Sequence, residues 1–378
     1  MAEEDLRVLF VGSGAVNFGG AEGPWDHSKR LETLGGVKIV AIADPILSKA
    51  EEVLRAKLEG PHAHMYKDCI AVKSYLDAIS LTKPNVAFIG VPPVYHGAMD
   101  PPHDIELQCV KAGLHLFIEK PVSVVAPEKF IPYMEAVERI AEESKLIVSV
   151  GYMFRYHPAI EKMQSLIKQH GRPLVHVNAR YLSCATALSH PVWWDKEKSG
   201  GPIVEQATHF CDLLRYFGGD ALSSSIRAVA VGPSDTPTSP GYLSSVPEVI
   251  HEDSIPMERR VPRLTTAHWF YSSGGVGCLT HGVTLQGRKY EAAIDVWADG
   301  LRLSLEDPYF PGCKLRARIG NTDKEEVYHF PDADPYLNED EVFLRAVRNG
   351  DKTLVRSSYR DAAHTYQLSW DIRKASEA

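Results

Sequence analysis

The stretch LRVLFVGSGAVNFGG, residues 6–20, runs from a nearly continuous apolar segment straight into a glycine loop. A strand buried on both faces of a parallel sheet has this texture, because almost no position along it meets water. Gly12 and Gly14 follow at the spacing that lets a backbone turn tightly beneath a pyrophosphate, with Ala15, Val16 and Asn17 completing the loop. Asn17 holds the third place of the usual glycine fingerprint. An additional FGGAEG then delays the helix, whose first turn is expected at Pro24-Trp25-Asp26. Paired glycines also mark ordinary turns, so the neighbouring segments must decide between the two readings.

Alternation decides it. Apolar segments at 6–12, 37–44, a weak one near His64, 85–91, 115–119 and 146–152 are separated by amphipathic stretches such as SKAEEVLRAKLEG and PEKFIPYMEAVERIAEESK. That pattern predicts parallel strands joined by crossover helices, and residues 1–150 are read as a Rossmann-like, doubly wound dinucleotide-binding domain. After Arg155 the texture changes. IRAVAVG, TTAHWFYSSGGVGCLTHGVT, YEAAIDVWADGLRLSLED and EEVYHF alternate apolar with polar and break at SSGG and ADG, which predicts hairpins. Residues 151–378 are therefore expected to form an α/β domain with an open, mostly antiparallel sheet, closed by helices near 336–349 and 357–374. The run Gly232–Pro262 lacks periodicity and reads as a long loop over a site or interface.

Composition agrees with a two-domain globular protein. The chain has 378 residues, 44% hydrophobic and 24% charged. A formal charge of -8, with 16 histidines neutral, argues against broad nucleic-acid binding, which needs concentrated cationic surface. The N-terminal MAEEDLRVLFVG is acidic, no segment is long and apolar enough for a bilayer, and a cytoplasmic protein without a membrane partner is expected. Cysteines 69, 109, 184, 211, 278 and 313 form no Cys-x-x-Cys pair, which suits reduced thiols and offers no zinc or redox motif.

Ligands of doubly wound sheets bind outside the carboxyl ends of the strands. Asp44 ends the second strand, where its carboxylate either accepts ribose hydroxyls, favouring NAD slightly over NADP, or caps the next helix. Pro92 closes the fourth strand, and Glu119 and Lys120 close the fifth, all on the expected cofactor side; the competing reading of Lys120 is a solvated loop lysine. SGGPIVEQATHFCDLLRYFGG predicts a helix carrying Glu205, His209, Asp212 and Tyr216 on one face. That face is a solvated stripe, a functional set or, less readily, the start of a metal site lacking a third ligand; no metal is assigned. Tyr152 and Arg155 lie at the domain junction, where they either line a cleft or stitch the halves together.

EKP at 119–121, GYMFRYHP at 151–158 and GGPIVEQATHFCDLLRYFGG at 200–219, in this order, resemble the Gfo/Idh/MocA oxidoreductases, the family of glucose-fructose oxidoreductase and inositol 2-dehydrogenase. The resemblance spans most of the chain. It implies an NAD(P)-dependent dehydrogenase or reductase acting on a hydroxyl or carbonyl carbon of a sugar, sugar acid or polyol, and a homo-oligomer, dimer or tetramer, formed through the C-terminal sheet. The family's catalytic lysine maps onto Lys120 and its histidine onto His209, while Glu205 replaces the usual aspartate. Tyr152, Arg155, Trp193, Trp194, Glu205 and His209 are the expected substrate contacts. Two departures are the long loop after Gly14 and the extended VPPVYHGAMDPPHDIEL. The same resemblance leaves open a non-catalytic NAD(P)-binding regulator, or an NAD-dependent glycosidase or isomerase without net redox change.

Overall fold

The computed structural model describes residues 4–20 and 23–378. Ala21 and Glu22 of the inserted FGGAEG, and the first three residues of the acidic N-terminus, lie outside the described residues. The chain divides into two compact units, Met1–Met153 with Tyr336–Ala363, and Phe154–Pro335 with His364–Ala378.

The first unit is built on six parallel strands: β1 Leu6–Val11, β2 Val37–Ala43, β3 Ile70–Val72, β4 Val86–Ile89, β5 His115–Ile118 and β6 Val148–Val150. Their order is β3-β2-β1-β4-β5-β6, so the winding reverses beside β1. The expected strand near His64 is a 3-10 turn, Ala63–Tyr66, and the edge strand forms later at Ile70–Val72. Tyr66 explains the difference: its ring is fully buried and its hydroxyl donates to Glu32 at 2.7 Å, which pins that segment as a turn. The delayed first helix spans His27–Leu34, capped by Asp26, whose side chain accepts from the Lys29 amide. It therefore starts just after the expected turn.

The division of the chain differs from the one expected at residue 150. Residues 336–363 return to the first unit because the helix Pro335–Asn349 has an apolar stripe for which that unit supplies the partner. Phe343, Leu344, Ala346 and Val347 are buried with Val8, Phe10, Phe88 and Phe117. Phe88 and Phe117 stack at 5.0 Å, and the Phe343 ring meets both edge-on. The same segment covers the sheet edge, where Val150 donates its amide to Ser357 O and accepts from the Ser357 hydroxyl.

The second unit is an eight-stranded sheet: β7 Leu174–Cys184, β8 Arg227–Val231, β9 Leu264–Phe270, β10 Val276–Leu285, β11 Glu291–Ala298, β12 Leu301–Glu306, β13 Lys314–Ile319 and β14 Glu326–His329. The order is β14-β13-β12-β11-β7-β10-β9-β8, and every pair is antiparallel except β7 with β10. The helix Thr208–Gly218 packs on β7 and β10, and Pro158–His170 packs on β12 and β13. Val175, Val229, Phe270 and Trp297, spread over four strands, remain exposed.

The 232–262 run contains only two 3-10 turns, Glu252–Ser254 and Met257–Arg259. It is held down by a buried guanidinium: Arg263 donates to Gly241 O at 3.0 Å and to Glu252 at 2.8 Å. Beneath it Trp194, Ile250, Val261 and Val283 form a small core of their own.

Candidate active site

In the first unit the turn after β1 fits a dinucleotide. Gly12 has φ 97°, and a β-carbon there would stand 2.9 Å from Val91, so both conformation and space demand glycine. Nothing lies within 4 Å of a β-carbon on Gly14, which leaves room above the turn. Ala15 and Val16 open the short helix Ala15–Phe18, and first-turn amides have no acceptor within a helix. Asn17 is fully buried, its amide donating to Val11 O at 3.2 Å and Gly12 O at 2.8 Å, so a side chain fastens the loop where the usual fingerprint relies on a third glycine.

Both oxygens of the Asp44 carboxylate are engaged within the chain. Its Oδ2 accepts from the Ser13 amide at 2.9 Å and the Ser13 hydroxyl at 2.7 Å, and its Oδ1 accepts from the Ile46 amide at 2.8 Å. The carboxylate thus ties the glycine loop to the end of β2. About four acceptor positions exist on a carboxylate, so one remains toward Oδ1. Pro92 stands exposed at the end of β4, leading into the 3-10 turn Pro93–Tyr95.

At the end of β5, Glu119 is buried and Lys120 half-buried, and the Lys120-Pro121 bond is cis. Glu119 accepts from the Lys120 amide at 3.1 Å through one oxygen and meets His27 Nε2 at 2.9 Å through the other. The extended VPPVYHGAMDPPHDIEL segment straps down the same turn. Ser123 donates its hydroxyl to Gly97 O at 2.9 Å, and Gly97, at φ 73°, sits so close that a β-carbon would be 2.1 Å from Val122 O. Below it, His96 pairs with Glu106 at 2.5 Å, and Tyr133 donates to Glu106 at 2.7 Å. Burial opposes the Glu106 charge, but His96 and the hydrogen bonds hold its carboxyl below the usual range. Tyr152, expected as a substrate contact, is 1% exposed.

In the second unit the expected single helix is broken. Pro202–Glu205 and Thr208–Gly218 are separate, and the amide of Ala207 reaches back to Pro202 O. Tertiary bonds hold the residue at the break: Gln206 donates to Ser183 at 3.2 Å and accepts from His281 Nε2 at 2.8 Å. Burial pushes His281 down to about 3, so the ring is neutral. The break parts Glu205 from the helix of His209. Glu205 accepts from the Trp193 indole at 2.7 Å, and Trp194, fully buried, donates to Leu188 O. Trp194 is therefore core rather than an open platform for a ring.

His209 lies in the first turn of its helix, 6% exposed, with its ring edge-on to Phe154 at 5.7 Å and Tyr309 at 6.4 Å. Tyr309 is half-buried among Phe154, Tyr181 and Tyr290. Arg155 and Asp212 form a buried bidentate pair at 2.8 and 2.6 Å, and Thr365 donates to the same carboxylate at 3.0 Å. Tyr216 lies under the Arg155 guanidinium at 4.8 Å. Within the polar stripe read from the sequence, His209 and Asp212 are thus buried, and Asp212 is closed to a ligand by its pairing with Arg155. Among the described residues no group of three His, Cys, Asp or Glu side chains gathers as a metal ion requires, and no helix is long and apolar enough to cross a membrane.

Sequence reasoning missed His27, Ser13, Gln206, His281 and Tyr309. The Gly-Ser-Gly context at 12–14 could have suggested Ser13; the others depend on partners far away in the chain.

Residues 6–152 match the model of an oxidoreductase family with an NAD-binding Rossmann fold, and residues 155–301 match an oxidoreductase C-terminal domain. The Schizosaccharomyces pombe uncharacterized protein UNK4.17 is 41% identical over 98% of this chain and 91% of its own. The scyllo-inositol 2-dehydrogenase (NAD(+)) of Bacillus subtilis is 24% identical over 59% of this chain and 56% of its own. Among solved structures, the 3-ketoreductase KijD10 from Actinomadura kijaniata, in complex with NADP, has a TM-score of 0.71 over 98% of each chain at 16% identity, a likeness of fold.

Proposed function

The chain belongs to the Gfo/Idh/MocA family of oxidoreductases, which bind NAD(P), and on that footing we propose that it moves a hydride to or from a hydroxyl-bearing or carbonyl carbon of a sugar, sugar acid or polyol. The observation that carries this reading is Lys120, a half-buried ammonium at the carboxyl end of β5, in a turn fixed through Glu119 and Ser123. In a doubly wound sheet that end of the strands is the ligand side.

Bound nicotinamide supplies the hydride chemistry. Gly12, Gly14, Ala15, Val16 and Asn17 would shape the pyrophosphate turn, Asp44 would offer its remaining lone pair to a ribose hydroxyl, and Pro92 and Glu119 would border the ring. Lys120 would donate to the reacting oxygen and stabilise charge there. His209 would take or return the hydroxyl proton as general base or acid. Glu205, aimed by the Trp193 indole, would bind a neighbouring hydroxyl, with Trp193 beside it. An oligomer through the second sheet is proposed on the same footing, and exposed Val229, Phe270 and Trp297 suit a covered face.

The test is a screen of sugars, sugar acids and cyclic polyols with NAD+ and NADP+, and of the matching ketones with the reduced forms, following absorbance of reduced nicotinamide. Turnover of at least one compound is expected. Tight cofactor binding without turnover anywhere in the panel would overturn the reading.

A further inference from the structure

The first unit contains a buried charge that the proposed chemistry does not use. His27, 2% exposed, places Nδ1 2.9 and 3.0 Å from the two oxygens of Asp340 and Nε2 2.9 Å from Glu119. Carboxylates only accept, so a ring bonded to one at each nitrogen carries two N–H groups and is an imidazolium. Burial alone would drive the proton off, but the field of Asp340, and then hydrogen bonds to Asp340 and Glu119, lift His27 up to about 10. Phe88 and Phe117 pack against the ring; burial lifts the Asp340 carboxyl above its ordinary range, opposed by His27 and Arg30 and reinforced by the charge of Glu119.

The three residues come from three distant places: the delayed helix His27–Leu34, the end of β5 and the returning helix Pro335–Asn349. Each link is short and shielded from solvent, so a change at Asp340 is felt at Glu119. Glu119 in turn accepts from the Lys120 amide. A β-carbon on Gly151 would lie 2.7 Å from the Glu119 carboxylate, so that side chain has little space in which to reorient.

We infer that His27 and Asp340 are positioning residues: the imidazolium, anchored by Asp340, holds the Glu119 carboxylate and through it the backbone that presents Lys120. This deepens the assignment of Lys120 as the group at the reacting oxygen and rests on that reading. The returning helix thereby becomes part of the machinery that sets the lysine in place.

The experiment uses the full chain and no substrate, so its outcome is separate from whether a hydride acceptor is ever found. Histidine-labelled protein is compared with His27→Asn and Asp340→Asn by nitrogen NMR at pH 8, above the ordinary histidine range near ~6.5. A doubly protonated ring is expected in the parent and absent from both variants. In parallel, hydrogen exchange of peptides covering 119–123 is expected to quicken roughly tenfold in both variants, the ratio allowed by loss of one charge-assisted hydrogen bond. Acetylation of Lys120 by acetic anhydride should shift relative to the other lysines. Should Asp340→Asn not fold, Glu119→Gln tests the same chain from its other end. A neutral His27 in the parent, or unchanged exchange and labelling at 119–123 once the imidazolium signal is gone, would overturn the proposal.

Discussion

The Asn17 amide oxygen lies 2.6 Å from the place a β-carbon on Gly90 would take, so the side chain that fastens the glycine loop and the end of β4 fit together only because residue 90 is glycine. Gly90→Ala is expected to destabilise the first unit by about 1–3 kcal/mol, as overpacking does. Asn17→Gly relieves the clash but forfeits two hydrogen bonds. The double variant is expected to be more stable than the sum of the two single losses, by urea unfolding. Strict additivity would deny the contact.

Lys120→Met keeps much of the aliphatic volume and removes the ammonium. Affinity for NADH, read by fluorescence titration, is expected to stay within about twofold, while turnover of any substrate found falls by at least roughly a hundredfold. Preserved turnover would remove Lys120 from the chemistry.

His209→Asn retains a polar group of similar reach but cannot exchange a proton near neutrality. The rate of the hydride-transfer step, isolated in single turnovers, is expected to fall by about 10²–10⁴, with loss of one limb of the pH-rate profile. An unchanged profile would assign the proton to another group.

Arg155 and Asp212 make a structural prediction where the sequence left Arg155 open between lining a cleft and stitching the halves, and the family resemblance made it a substrate contact. Removing one member leaves a buried unpaired charge, so Arg155→Met is expected to cost about 3–5 kcal/mol in urea unfolding. A variant with parental stability but impaired substrate affinity would restore the binding role.

His157 caps the helix Pro158–His170 by accepting the Ala159 amide at 3.0 Å, and burial pushes it down to about 4. The unfolded chain takes up this proton near pH ~6.5 and the folded chain only near the lower value. Its contribution is therefore intact above pH ~6.5 and lost as the pH falls toward the folded value, about 3 kcal/mol in all. His157→Asn keeps a capping acceptor without the titration. The difference in urea stability between parent and variant is expected to change by that amount between neutrality and pH ~4.

The parallel and antiparallel halves were legible because their signals are local: β1 is apolar nearly throughout, and β9 alternates. β3 was misplaced because a strand of three residues carries hardly any pattern, whereas Tyr66 nearby is buried for a reason that lies in Glu32. The helix through residues 202–218 looked continuous because its spacing is helical. What interrupts it is the pull of Ser183 and His281 on Gln206, and neither contact leaves a mark in the periodicity. Lys120 stood out by its place at a strand end and His209 by its place on a polar helix face, with their roles supplied by resemblance, while Asp340, 313 residues from His27, had no local signal at all.

Phe343, Leu344 and Val347 complete the core that β1 begins, which has a consequence during synthesis. A ribosome adding roughly 5–20 residues per second emits residues 154–335 before that helix, so the nucleotide-binding half stays unfinished for about ten seconds or longer. Its greasy sheet face needs shelter during that wait, and a fragment cut at residue 153 never receives the piece that closes it.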